Sequence, residues 1–204
     1  MTNDFSIIYQ DGMTPRMLAQ TVLEDIYGKD SPLIPIDPFK LMRMYGIVYQ
    51  FMEFKDLEGI YLMPEDEKDV AIVGINKKRP ITRQRFSAAH ELCHHLKDRD
   101  NETCPIGARN EVETFAEQFA AELLMPFHIF KTEADKYAVR GKISFDNALM
   151  LAEKFGVSFN SCVRRLAYVF HMIDCPYGNL NKLIAKYNPN KKKEKLGIDT
   201  ESIT

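Results

Sequence analysis

With 204 residues the chain can bury roughly 70% of its unfolded surface, so a packed core needs neither disulfide nor metal staples. Hydrophobic residues make up 45% and charged residues 27%, which excludes disorder, collagen and coiled coil as descriptions of the whole. A formal charge of −2 excludes the broad field of a duplex-coating protein and gives no membrane-surface signature.

The amino terminus, MTNDFSIIYQDGMTPR, has no basic region followed by an apolar one, so no signal peptide is expected. No later run approaches the roughly 20 apolar residues of a membrane span. Residues 14 to 27 read as a first helix, with Thr14 as cap, Pro15 in the first turn and Gly28 at the exit. Met17, Leu18, Val22 and Ile26 give it one apolar side. SPLIPIDPF is a proline-punctuated loop, after which Asp37 and Pro38 repeat the cap signature for a short helix that stops at Gly46. Three runs rich in β-branched and aromatic residues follow, IVYQFMEF, EGIYLM and DVAIVGIN, and predict a three-stranded antiparallel meander.

From Thr82 the pattern is helical. TRQRFSAAHELCHHLK predicts one helix, NETCPIGAR a loop, and NEVETFAEQFAAELL a second helix ended by Pro126. A further helix falls within FHIFKTEADKYAV, and two more run from Ser144 to Phe155 and from Ser158 to Val169, with Gly156 between them. From Asn179 the chain is lysine-rich without period and reads as a loose tail. Helix, then a small sheet, then mostly helix predicts an α+β fold. Cys93, Cys104, Cys162 and Cys175 form no CxxC pair, which fits reduced thiols in the cytoplasm.

The chemistry concentrates in His90-Glu91-Leu92-Cys93-His94, an HExxH on a predicted helix. Residues four apart share a helix face, so both imidazoles reach one ion, while Glu91 can act on water without ligating. A catalytic zinc takes a third protein ligand. Glu113 lies 19 residues after His94 at the start of the next helix, and Glu117 is one turn further on the same face. Folded back, that face offers Glu113 as ligand and Glu117 as acceptor of an imidazole proton. The plainer alternatives are a capping box of Asn110 with Glu113, and a solvated face for Glu117. Glu111 and Glu122 are rival ligands with poorer spacing.

RQRFSAAHELCHHL followed by EVETFAEQFAAELLMP resembles the ImmA/IrrE family of metallopeptidases, with its RxxFtxAHExxH helix and its ExxAxxFAaxLLmP helix. IPIDPFKLMRMYGIVY and VGINKKRPITRQRF resemble the family's approach to the zinc helix, and ALMLAEKFGVSFNSCVRRL the helix-turn-helix-like segment after it. The resemblance implies zinc, or manganese in its place, held by His90, His94 and Glu113, with Glu91 as general base. It implies a zincin-like domain with a small sheet over residues 1–140, a helix-turn-helix-like segment over 141–178 and a tail over 179–204. The implied activity is cleavage of a separate helix-turn-helix repressor, relieving repression after stress or during mobile-element induction. The residues before Arg83 leave no room for a DNA-binding domain, so the repressor is expected to be another chain. The family often has Asn where this chain has Glu117, and Gly where it has Cys93.

Among the remaining residues, His95 faces about 100° away from His94, and His128 and His171 have no partner pattern. Tyr61, Tyr137 and Tyr168 are candidate transition-state donors without further distinction. Arg164 and Arg165 sit in the helix-turn-helix-like segment, but without a basic stripe they read as packing or repressor docking rather than DNA contact. Cys93 reads as a small buried hydrophobe. Two other functions stay in view: a non-catalytic module that sequesters a repressor stoichiometrically, and a DNA-binding regulator using residues 144–169.

Overall fold

The computed structural model describes residues 8–28, 30–64, 69–98, 111–175 and 179–197. The fold is α+β, and the chain divides into two compact units, Met1–Pro126 and Phe127–Thr204. No helix among the described residues is long and apolar enough to cross a membrane.

In the first unit, helix α1 (Pro15–Tyr27) starts where Thr14 accepts the Met17 N–H at 3.2 Å and ends at Gly28, whose φ of 62° suits glycine. Its buried stripe is Leu18, Ala19, Val22 and Leu23, whereas Met17 lies largely in solvent. Helix α2 (Pro38–Met44) is capped by Asp37, which accepts the Phe39 N–H at 2.9 Å.

The sheet consists of β1 (Val48–Met52), β2 (Gly59–Leu62) and β3 (Ile72–Asn76) in the order β1-β3-β2. It is mixed rather than the expected antiparallel meander. β3 pairs antiparallel with β2 but parallel with β1, in the register Val48↔Ile72 to Met52↔Asn76. Burial accounts for the order. Val73, Gly74, Ile75 and Asn76 of β3 are all buried, as a central strand requires, while β1 is mostly exposed and takes an edge.

Helix α3 (Ile81–Lys97) is the hub of this unit and packs against α2, β2, β3 and helix α4 (Glu111–Leu124). Enclosed on several sides, it buries polar residues together with Ala88, Ala89, Leu92 and Cys93. One of them, Arg85, donates from Nη2 to the Ile36 carbonyl at 2.6 Å and ties the helix to the loop before α2. Helix α4 lies between α3 and α1, with Ala116, Phe119, Ala120 and Leu123 buried. The expected loop over residues 101–109 and the Asn110 cap lie outside the described residues.

The second unit contains α5 (Phe127–Asp135), α6 (Phe145–Phe155), α7 (Phe159–Tyr168), α8 (Leu180–Tyr187) and α9 (Pro189–Leu196). Ser144 and Ser158 cap α6 and α7, and Gly156 leaves α6 in the left-handed region, as the sequence pattern predicts. The stretch from Asn179, expected to be a loose tail, forms α8 and α9 instead. Leu180 and Ile184 are buried one turn apart, the Tyr187 ring stacks on Phe159 at 4.7 Å, and the Tyr187 hydroxyl donates to Asp146 at 2.6 Å. Pro189 and the Asn188 cap then start α9. The lysines of α9 concealed these anchors, two of which are supplied by residues far back in the chain.

Arg165 is buried, with its guanidinium 5.7 Å from the Phe130 and Phe170 ring centres, and exposed Arg164 donates to Asn181 at 2.7 Å. Arg165 is therefore a packing residue. Arg165→Ala is expected to cost about 2 kcal/mol through lost stacking and packing, read as a lower urea midpoint of the whole chain.

Candidate metal site

His90 and His94 project from the same face of α3, and Glu113 meets them from the first turn of α4. All three are buried, and one ligand atom from each lies within 4.8 Å of the others. The two Nε2 atoms are 3.1 Å apart, and the Glu113 oxygens stand 3.2 Å from His90 Nε2 and 3.5 Å from His94 Nε2. A tetrahedral zinc bound at 2.0–2.1 Å separates its ligand atoms by about 3.3 Å, so these separations fit one ion.

The tautomer of His94 agrees. Its Nδ1 lies 3.0 Å from Asp98 Oδ2, and because a carboxylate accepts, Nδ1 carries a proton, so in the neutral ring the Nε2 lone pair faces the cluster. Burial alone lowers the pKa of His94, but the Asp98 hydrogen bond and the nearby Glu91 and Glu113 outweigh it and hold the pKa above its ordinary value. Asp98 in turn is held by Lys97 Nζ at 2.8 Å. Its pKa is depressed overall: burial raises it, and the bonds from His94 and Lys97 more than offset that.

Asp98 is the residue that sequence reasoning missed, and it corrects the part expected of Glu117. Glu117 is exposed to solvent on α4, and the carboxylate at the imidazole nitrogen belongs to Asp98. The signal was present, since Asp98 follows His94 by the same four residues that separate His94 from His90. Asp98→Ala is expected to weaken metal affinity about 10–100-fold, measured by competition with a chromophoric chelator, while Glu117→Ala leaves it unchanged.

Glu91 lies beside the cluster, only 2% exposed, and its Oε1 has no hydrogen-bond partner among the described residues. Burial pushes its pKa up to about 8, with His94 opposing and Glu113 adding to the rise. A dication held by the cluster favours the carboxylate and opposes that shift. A buried carboxylate oxygen without a donor is costly in a finished core, so its retention here calls for a reason beyond packing.

The other residues weighed from the sequence fall outside this cluster. Glu111 is exposed, and Glu122 is paired with Arg16 at 3.2 Å. His95 is buried, with its Nδ1 hydrogen-bonded to the Tyr61 hydroxyl at 3.1 Å, which gives both a structural role. Cys93 is fully buried and its thiol pKa is driven upward, mainly by burial, so it is an inert apolar group. His128 and His171 are exposed in the second unit.

Two histidines and an intervening glutamate on one helix, completed by a carboxylate from the next, form a cluster that could hold a metal ion, in the arrangement expected of a metallopeptidase domain. The chain belongs to the Peptidase_M78 family, whose IrrE N-terminal-like domain matches residues 44–167. Its fold is similar to that of a Mycobacterium tuberculosis transcriptional regulator, with a TM-score of 0.51 and 18% identity over 75% of this chain. The chain spans 46% of that regulator's length. No curated protein matches it in sequence.

Proposed function

We propose that the chain is a cytoplasmic zinc endopeptidase whose substrate is a separate helix-turn-helix repressor, cut to relieve repression. The observation that carries the reading is the buried convergence of His90, His94 and Glu113 beside a glutamate oxygen that has no donor among the described residues. His90 Nε2, His94 Nε2 and a Glu113 oxygen would hold the ion, and zinc or manganese fits this donor set. A bound zinc supplies Lewis acidity, polarising a peptide carbonyl and making water more acidic. Glu91 Oε1 takes the proton of the attacking water and delivers it to the nitrogen of the leaving amine. Asp98 holds the His94 ring so that Nε2, rather than Nδ1, faces His90 and Glu113, where an ion would bind.

The repressor as substrate rests on family membership and on the resemblance of both motif helices to peptidases of that kind. The test incubates the zinc-loaded chain with helix-turn-helix repressors and reads the products by intact-mass spectrometry. A single internal cut, absent with Glu91→Gln, supports the proposal. Tight repressor binding with no cut by either form assigns stoichiometric sequestration instead. Salt-dependent binding of duplex DNA by the isolated chain assigns a regulator.

A further inference from the structure

Gly59 opens β2 with its Cα against the Glu91 side chain. A Cβ at this position stands 2.8 Å from Glu91 Oε1, 3.4 Å from Glu91 Cγ and 3.2 Å from the Gly74 carbonyl oxygen. The backbone does not call for glycine here, because Gly59 is not among the residues with positive φ. What the position requires is the absence of a side chain; the tightest contact is with the Glu91 carboxylate, and the Gly74 carbonyl oxygen accounts for the remainder.

The wall that Gly59 forms is braced from two directions. Buried Asn76, at the end of β3, donates from Nδ2 to the carbonyls of Phe54 at 3.1 Å and Leu57 at 2.7 Å, and its N–H donates to the Glu58 carbonyl at 3.0 Å. The Asn76 Oδ1 accepts the Lys78 N–H at 3.0 Å, which fixes the amide. Glu58, next to Gly59, pairs with Arg79 at 3.0 Å and with Arg83 at 3.1 Å. Arg83 stands on α3, the helix that carries Glu91. Gly59 is thus referenced both to the central strand and to the helix of the HExxH.

A carboxylate oxygen held by donors is located by its hydrogen bonds. Glu91 Oε1 has none among the described residues, so packing locates it, and Gly59 is one wall of that packing. We propose that Gly59 is a positioning residue for Glu91, its bare Cα setting where the carboxylate stands and Asn76 fixing that Cα. The catalytic meaning of this position rests on the general-base reading of Glu91; the steric coupling does not.

The test is a double-mutant cycle on the whole chain with Gly59→Ala, Glu91→Ala and both together. Gly59→Ala is expected to lower the thermal midpoint by about 2–4 °C in the wild type, as a local overpacking does. With Glu91→Ala the colliding carboxylate is gone, and less than half of that drop should remain. Equal drops in the two backgrounds overturn the proposal, because Gly59 then serves the sheet alone. If Gly59→Ala fails to fold in the wild type, folding of the double variant supports the proposal and failure of both overturns it. On a repressor that the wild type cuts, Gly59→Ala should lose about 100-fold in kcat at unchanged zinc content, and a retained kcat overturns the catalytic part. Cleavage by Glu91→Gln removes the general-base reading but leaves the stability cycle standing, so the two failures are separable.

Discussion

Glu91→Gln is expected to retain its zinc and lose cleavage by about 10²–10⁴-fold. The substitution keeps the size and shape of the side chain, which matters because Glu91 is enclosed on α3 and lies against Gly59. Glutamine fills the same space, and none of the distances among His90, His94 and Glu113 depends on it. An amide nitrogen has no lone pair for a proton, so the step assigned to Glu91 stops while metal binding continues. Stability should hold or rise, because the buried oxygen that lacks a donor among the described residues then belongs to a neutral group. The measurements are zinc per chain by elemental analysis and initial cleavage rate on one substrate. Full zinc with an undiminished rate removes Glu91 from the mechanism.

The parts of the fold legible in the sequence are those set by local chemistry. Thr14 with Pro15, Asp37 with Pro38, Ser144 and Ser158 are caps whose donors lie within three residues, and each helix starts where its cap stands. The histidine pair was legible for the same reason, being one turn of one helix. Glu113 needed a further step, the folding back of α4 on α3, and the resemblance to a known pair of motif helices supplied it. Strand order was not legible. The short segment between β1 and β2 suggests neighbours, yet β3 enters between them because its run of Val73, Gly74 and Ile75 has the greatest need of burial. Gly74 also admits Phe54 across the sheet, since a Cβ there stands 2.8 Å from the Phe54 Cζ. The exchange of Glu117 for Asp98 has a similar origin. Helical spacing placed Glu117 on the face of Glu113, but one further turn carries it into solvent, while the end of α3 supplies Asp98 on the same helix as His94. Gly59 left no sequence signal, because a glycine within the predicted strand run EGIYLM says nothing of what its bare Cα faces.

His94→Ala and Glu113→Ala should each reduce bound zinc from about one per chain to a small fraction of that, whereas Glu111→Ala and Glu117→Ala should leave it intact. A three-ligand site that loses one ligand keeps two, too few to hold the ion against a competing chelator. Glu111 and Glu117 are exposed and stand apart from the cluster, so their removal changes only surface charge. The same ion is expected to contribute to stability, because it binds the folded cluster and the unfolded chain has no preformed site. At free zinc about 100-fold above Kd the contribution is about 2.7 kcal/mol. Chelation should therefore lower the thermal midpoint of the wild type and scarcely move that of His94→Ala, and the difference measures the coupling directly. Full zinc in Glu113→Ala would transfer the third ligand to another residue. Zinc absent from the wild type after reconstitution would leave the cluster as a polar core and the peptidase reading without its reagent.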